Sequence, residues 1–166
     1  MNDDGELLGP ESVGEIVVKG PNVVDGYEDN PQANAAAFVN GWFRTGDQGR
    51  ISSDGYLSIT GRYKELINRG GEKISPLEVD DVLLRHPAVA EAVAFAAPSK
   101  TYGEEVHAAI VLKSSVTHIE LRKHCNSFLS DFKVPARFHI LDEIPRGATG
   151  KLQRISMAKL LNIADA

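Results

Sequence analysis

Three short polar clusters, each containing glycine, hold the residue types in this sequence that can do chemistry. They are Trp42-Phe43-Arg44-Thr45-Gly46-Asp47, the run from Gly61 to Pro76, and Pro145-Arg146-Gly147-Ala148-Thr149-Gly150-Lys151-Leu152. All three are expected between regular elements, where functional loops lie. Asp47, after Thr45-Gly46, is a short carboxylate on a tight loop, suited either to accepting two hydrogen bonds from a vicinal diol or to closing an ordinary turn. Arg62 offers a fixed fork of donors at a strand end, for an anion or for solvent. Arg69-Gly70-Gly71-Glu72 carries glycines that let backbone approach a ligand closely, and it also fits a plain turn. Lys151 follows Gly147-Ala148-Thr149-Gly150, so an ammonium can be carried on a flexible arm. The pattern is not a Walker phosphate loop, because Leu152 stands where a serine or threonine is required.

The elements that must position these residues fall into two textures. In the first 63 residues, Glu15 to Lys19 reads as a strand closed by Gly20-Pro21. Asn30-Pro31 caps a short alanine-rich helix to Phe38, and Ser53-Asp54-Gly55 turns a hairpin between Arg50–Ser52 and Tyr56–Ile59. This part is mostly β with no long amphipathic element, so its apolar faces are expected to pack on something the chain does not contain. After Lys64, Ser75-Pro76-Leu77-Glu78 combines a capping box with proline at the first helical position, opening a helix that stops before Pro87. Strands follow from Val89 to Pro98 and from Val106 to Leu112. A second capping box at Thr117-His118-Ile119-Glu120 opens a helix whose stripe is Leu121, Cys125, Phe128, Leu129 and Phe132. A short strand at Phe138–Leu141 and a closing helix from Ile155 to Leu161 complete a compact α+β domain, a small sheet covered by helices.

Composition narrows the function classes. The chain has 166 residues, 42% hydrophobic and 25% charged, as in a soluble globular protein. Residues 1–63 carry 4 Lys+Arg against 10 Asp+Glu, and residues 64–166 carry 14 against 13, a net of −6 beside +1. That asymmetry points to two units, 1–63 and 64–166. No basic stripe interleaved with aromatics supports nucleic-acid binding, and no apolar run approaches the roughly 20 residues of a membrane span. The N-terminus is acidic where a secretory signal would begin basic, so the chain reads as cytosolic or organelle-matrix, with cytoplasmic the expected compartment, and the single cysteine, Cys125, is read as core. The five histidines show no ligand spacing, so no structural metal is expected.

In their order and spacing the three clusters resemble the closing motifs of the adenylate-forming superfamily, which includes acyl-CoA synthetases, luciferases and peptide-synthetase adenylation domains. The resemblance runs from about Gly14 onward, and Asn68 to Pro76 is most similar to CoA ligases of the short-chain, oxalate or 4-coumarate type. The superfamily's phosphate loop and acyl pocket have no counterpart here. The resemblance therefore implies the C-terminal portion of a synthetase, with 1–63 the β-rich end of the large AMP-binding domain and 64–166 the mobile small domain.

The resemblance assigns Asp47 and Arg62 to nucleotide binding, with ribose and phosphate as their targets. It makes Lys64 the hinge about which the small domain alternates, and Arg69, Gly70, Gly71 and Glu72 the loop that enters for the CoA step. Lys151 becomes the catalytic lysine, delivered where charge builds up between carboxylate and α-phosphate. There, at an effective dielectric near 20, each contact is worth roughly 4–5 kcal/mol before desolvation. The implied reaction converts carboxylate, ATP and CoA to acyl-CoA, AMP and pyrophosphate, in acyl-CoA and fatty acid metabolism, with Mg bound in the missing large domain. Lys151 is also expected to be a substrate of a lysine acetyltransferase and its deacetylase. Two alternatives remain: an adenylation domain loading a carrier protein, and a non-catalytic module recognised by a partner. The fragment alone is expected to be inactive. The C-terminus, Ile163-Ala164-Asp165-Ala166, lacks a peroxisomal Ser-Lys-Leu.

Overall fold

The computed structural model describes residues 1–147 and 150–163. The chain divides into two compact units, Met1–Tyr63 and Lys64–Ala166. It is a mixed α and β protein with two mainly antiparallel sheets. No helix among the described residues is long and apolar enough to cross a membrane.

In the first unit, β1 (Val13–Val18), β2 (Phe38–Val39), β3 (Trp42–Ile51) and β4 (Leu57–Arg62) form a four-stranded sheet with β3 at its centre. Helix α1 (Pro31–Ala37) has proline in its first turn, and the Asn30 side chain accepts from the Ala33 N–H at 3.0 Å. The Asp54-Gly55 turn links β3 to β4 and is braced by the Ser52 hydroxyl, which takes the Tyr56 N–H. Two expectations change here. The Trp42–Asp47 cluster is not a loop between elements: it lies inside β3, and Gly61-Arg62 ends β4. The segment is held by three neighbours: Phe43 and Arg44 pair with β1, Trp42 with β2 and Asp47 with β4. A positive φ of 75° at Gly46 and a register shift in β1 between Glu15 and Val17 absorb the kink. Among the described residues, Met1 alone contributes a buried apolar side chain from this unit, while Ile51, Leu57 and Ile59 are each at least half exposed.

The second unit has strand order β6-β5-β8-β7, with β9 added beside β8. The strands are β5 (Ile67–Arg69), β6 (Glu72–Ile74), β7 (Val89–Ser99), β8 (Gly103–Leu112) and β9 (Arg137–Ile140). Helix α2 (Pro76–Leu84) crosses β7. The β8–β9 pair is parallel, and its crossover carries α3 (His118–Asn126). Side chains alternate along the long β7–β8 ribbon, so both faces are buried. Val89, Ala94, Val106, Ala108 and Ile110 pack under α2 and α3, while Val93, Phe95 and Ala109 pack against Ile144 and Met157.

The expected helix ends move. The Thr117 box is made: its hydroxyl accepts from the Glu120 N–H, and the Glu120 carboxylate accepts from the Thr117 N–H. The helix nevertheless stops at Asn126, because the Cys125 carbonyl receives the N–H groups of both Phe128 and Leu129. Leu129 and Phe132 reach the core from the turns that follow, and Phe128 is 56% exposed. Ser75 gives no side-chain capping bond to α2, and the Glu78 carboxylate pairs with Lys133, whose Nζ sits 2.8 Å from both of its oxygens. The closing helix is shorter than expected: a 3₁₀ turn over Arg154–Ser156 precedes α4 (Met157–Leu160). Cys125 is fully buried, and burial pushes its thiol up to about 11.

Candidate functional site

In the first unit, Asp47 and Arg62 are register partners on β3 and β4, and Arg62 Nε donates to Asp47 Oδ1 at 2.6 Å. The Asp47 N–H donates to Thr45 Oγ1 at 3.0 Å, and that hydroxyl donates to the Ile16 carbonyl at 2.8 Å. One residue behind, Glu15 is only 7% exposed. Its carboxylate accepts from the Gly46 N–H at 3.0 Å and pairs with Arg44, Nη2 to Oε2 at 2.5 Å. That pairing raises the Arg44 guanidinium above its ordinary value. The kink that presents Asp47 is therefore fixed from β1. An exposed arginine–carboxylate pair is worth about 0–1 kcal/mol. The Asp47–Arg62 pair is better understood as preorganisation of a polar edge than as a source of stability.

In the second unit, Lys64 is exposed within a 3₁₀ turn, Tyr63–Glu65. The next residue is anchored: Arg154 Nε donates to Glu65 Oε2 at 3.0 Å, Nη2 to Asp80 Oδ2 at 2.8 Å, and Nη1 to the Ala94 carbonyl at 2.5 Å. Asp80 Oδ1 accepts from the Ala94 N–H. Burial pushes the Asp80 carboxyl above its usual range, and Arg154 pulls it back.

The Arg69-Gly70-Gly71-Glu72 segment is the tip of the β5–β6 hairpin, with Arg69 paired to Glu72. Gly70 and Gly71 have φ of 58° and 97°, as a two-residue hairpin turn requires. The Gly70 N–H donates to the Tyr102 carbonyl at 2.9 Å, and the Arg69 guanidinium stacks 3.8 Å from the Tyr102 ring centroid. A Cβ on Gly70 would meet that ring at 3.3 Å. Asn68 tightens the turn by accepting from Gly71 N–H at 3.1 Å, and its own N–H donates to Glu104 at 2.7 Å.

Lys151 is exposed beside Gly150, whose φ is 74°. Ala148 and Thr149 of its motif lie outside the described residues, as do Ala164–Ala166. The stem is defined on both sides: Gly147 N–H donates to the Lys151 carbonyl at 2.9 Å, Arg146 bridges Leu152, and Arg146 pairs with Glu91 at 2.9 Å. Five residues to which sequence reasoning gave no positioning role do the positioning: Glu15, Glu65, Asp80, Tyr102 and Arg154. Only Glu15 and Asp80 left a trace, as carboxylates beside apolar residues, Glu15 before Ile16-Val17-Val18 and Asp80 after Val79. Among the described residues no three His, Cys, Asp or Glu side chains gather to hold a metal ion.

Residues 78–151 match the AMP-binding enzyme C-terminal domain. The oxalate–CoA ligase of Arabidopsis thaliana is 50% identical over 161 residues, 96% of this chain and 31% of that protein. Among solved structures, o-succinylbenzoate CoA synthetase (MenE) from Bacillus subtilis, in complex with the acyl-adenylate intermediate OSB-AMP, superposes with a TM-score of 0.85 at 44% identity. That match covers 98% of this chain and 33% of MenE. ATP-bound MatB from Rhodopseudomonas palustris gives a TM-score of 0.91 at 30% identity, over 99% of this chain and 33% of MatB. The chain spans about a third of the length of the curated relatives it matches.

Proposed function

We propose, from the premise that residues 78–151 are an AMP-binding enzyme C-terminal domain, that this chain is the C-terminal part of an ATP-dependent acyl-CoA synthetase. In the whole enzyme a carboxylate oxygen attacks the α-phosphorus of ATP, the bond to the β-phosphate oxygen breaks, and pyrophosphate leaves. The CoA thiol then attacks the acyl carbon, losing its proton, and AMP departs with the bonding pair. Similarity to CoA ligases over 96% of the chain carries the reading. The exposed apolar face of the first unit supports it, since a sheet with one buried apolar side chain needs further protein against it.

Asp47 accepts the ribose hydroxyls, and Arg62, which it orients, reaches ribose or phosphate. Lys151 brings its ammonium to the oxygens that gain charge during adenylation. Lys64 is the pivot that exchanges Lys151 for the Arg69–Glu72 hairpin, whose glycine backbone then lies along the CoA arm. Mg accompanies the ATP phosphates. Its ligands are placed, in this reading, in the rest of the enzyme. The accessible Lys151 arm is also a substrate for a lysine acetyltransferase.

The test compares the 166-residue chain with the full-length protein for pyrophosphate release from ATP over a panel of carboxylic acids, and for thioester formation with CoA. The full-length protein is expected to do both and the fragment neither. Turnover by the fragment would overturn the reading.

A further inference from the structure

We infer that Arg154 is a positioning residue that locks the stem of Lys151 to the pivot at Lys64, so that the two move as one body. The inference rests on the roles proposed above for those lysines. Arg154 lies three residues after Lys151 and is 8% exposed. Each of its three donor nitrogens is committed to a different piece of the second unit: Nε to Glu65 immediately after the pivot, Nη2 to Asp80 on α2, and Nη1 to the Ala94 carbonyl in the middle of β7.

The other end of the same stem is tied separately, by Arg146 to Glu91 near the start of β7. The stem of Lys151 is thus clamped on both sides, at Arg146 and at Arg154. One of those clamps reaches back 89 residues to the pivot. A rotation about the Lys64 backbone dihedrals is then delivered to the lysine without slack, because Glu65 cannot turn independently of Arg154. The Arg69–Glu72 hairpin has no part in this linkage, since it is held by Tyr102 and Glu104. Loosening the clamp should therefore misplace Lys151 while leaving the hairpin in place.

Replacing Arg154 leaves Asp80 buried without its cation and endangers folding. The decisive variant is Glu65→Gln, made in the full-length protein. Its side chain is 24% exposed, and its removal leaves the Arg154–Asp80 pair intact. Lys133→Gln, which breaks the Lys133–Glu78 pair, is the control for loss of an ordinary surface bridge. Adenylation by Glu65→Gln is expected to fall about tenfold or more, because small displacements of a reacting group carry penalties of that size. Thioester formation from preformed adenylate should stay within about twofold, and Glu65→Asp should recover part of the loss.

Hydrogen exchange supplies a readout independent of activity. Glu65→Gln should speed exchange in residues 61–66 and also in residues 150–157. Equal losses in both half-reactions, or faster exchange confined to residues 61–66, would overturn the inference. If the wild-type protein makes no acyl-adenylate, the functional reading fails by itself, and the exchange experiment still decides whether the two segments are coupled.

Discussion

Asp47 and Arg62 face each other across the β3–β4 ladder, joined Oδ1 to Nε at 2.6 Å, with the arginine side chain 59% exposed and the aspartate 24%. The pair is thus made by the fold itself, at a partly exposed edge of the sheet. In the full-length protein Asp47→Asn is expected to weaken ATP and AMP binding by about ten- to a hundredfold, the scale of losing hydrogen bonds to a charged acceptor. Calorimetric titration with AMP checks it. An unchanged affinity would return Asp47 to the role of a strand-kink residue.

Lys151→Ala should lower adenylation by about 10²–10³, the usual scale for removing a transition-state donor. It should spare thioester formation from a preformed adenylate, because the role proposed for the ammonium is in the first half-reaction. Separate single-turnover assays of the two steps make the comparison. Equal loss in both would mean that Lys151 acts on the fold rather than on the chemistry.

Lys64→Pro should reverse that pattern. Proline fixes φ near −65° and removes the freedom a pivot needs, so CoA thioester formation is expected to suffer more than adenylation. Rapid-quench measurement of acyl-CoA from preformed adenylate tests this, and an unaltered rate would place the pivot elsewhere.

Lys151 is also expected to be the preferred acetylation site of the isolated chain, modified faster than the exposed Lys100 and Lys113. Acetylation would remove the charge on which the proposed adenylation role depends. Peptide mass spectrometry after incubation with a protein acetyltransferase checks the order, and label spread evenly over the surface lysines would contradict it.

The second unit should lose stability on acidification through a histidine pair. His139 Nε2 lies 3.1 Å from His107 Nδ1, and His107 is 3% exposed. Its other nitrogen is 3.5 Å from Glu105, with Arg137 opposite His107 in the β8–β9 register, Phe95 against both rings, and His118 also acting on His139. Burial holds both histidines below their ordinary value, and a second proton would set two N–H groups against each other. The unfolded chain then binds more protons than the fold. The stability due to these neutral rings is present above about pH 6.5 and is lost as pH falls from there toward the folded values. Denaturant melts at pH 8, 6.5 and 5.5 should show this, with a shallower slope for His139→Leu. Identical slopes in the two proteins would remove the pair from the account.

What the sequence made legible was local. The Thr117 capping box, the Asn30-Pro31 start of α1, the Asp54-Gly55 turn and the glycine pair of the β5–β6 hairpin each announce themselves within four residues, because the interactions that fix them are made within four residues. Asp47 and Arg62 could be named singly, but their pairing depends on ladder register, which the spacing between them does not specify. Arg154 was invisible for a stronger reason. Its partners lie 60 to 89 residues earlier, and nothing in Leu152-Gln153-Arg154-Ile155 distinguishes a core cation from a surface one. The helix beyond Asn126 was overread because the apolar stripe continues at helical spacing through Phe132, although the backbone has already turned.

The long reach of Arg154 has a consequence for biosynthesis. A ribosome delivers Glu65 and Asp80 well before the cation that neutralises them, Asp80 preceding it by 74 residues. Until that cation arrives, docking α2 onto β7 buries a carboxylate without its counter-ion, at a cost of about 3–5 kcal/mol. That is a large share of a small unit's total stability. A chain truncated by a premature stop just before residue 154 would carry every strand and the two longest helices, yet would sit in the fraction that chaperones and proteases remove. A single late arginine thus decides whether the docked helix can last.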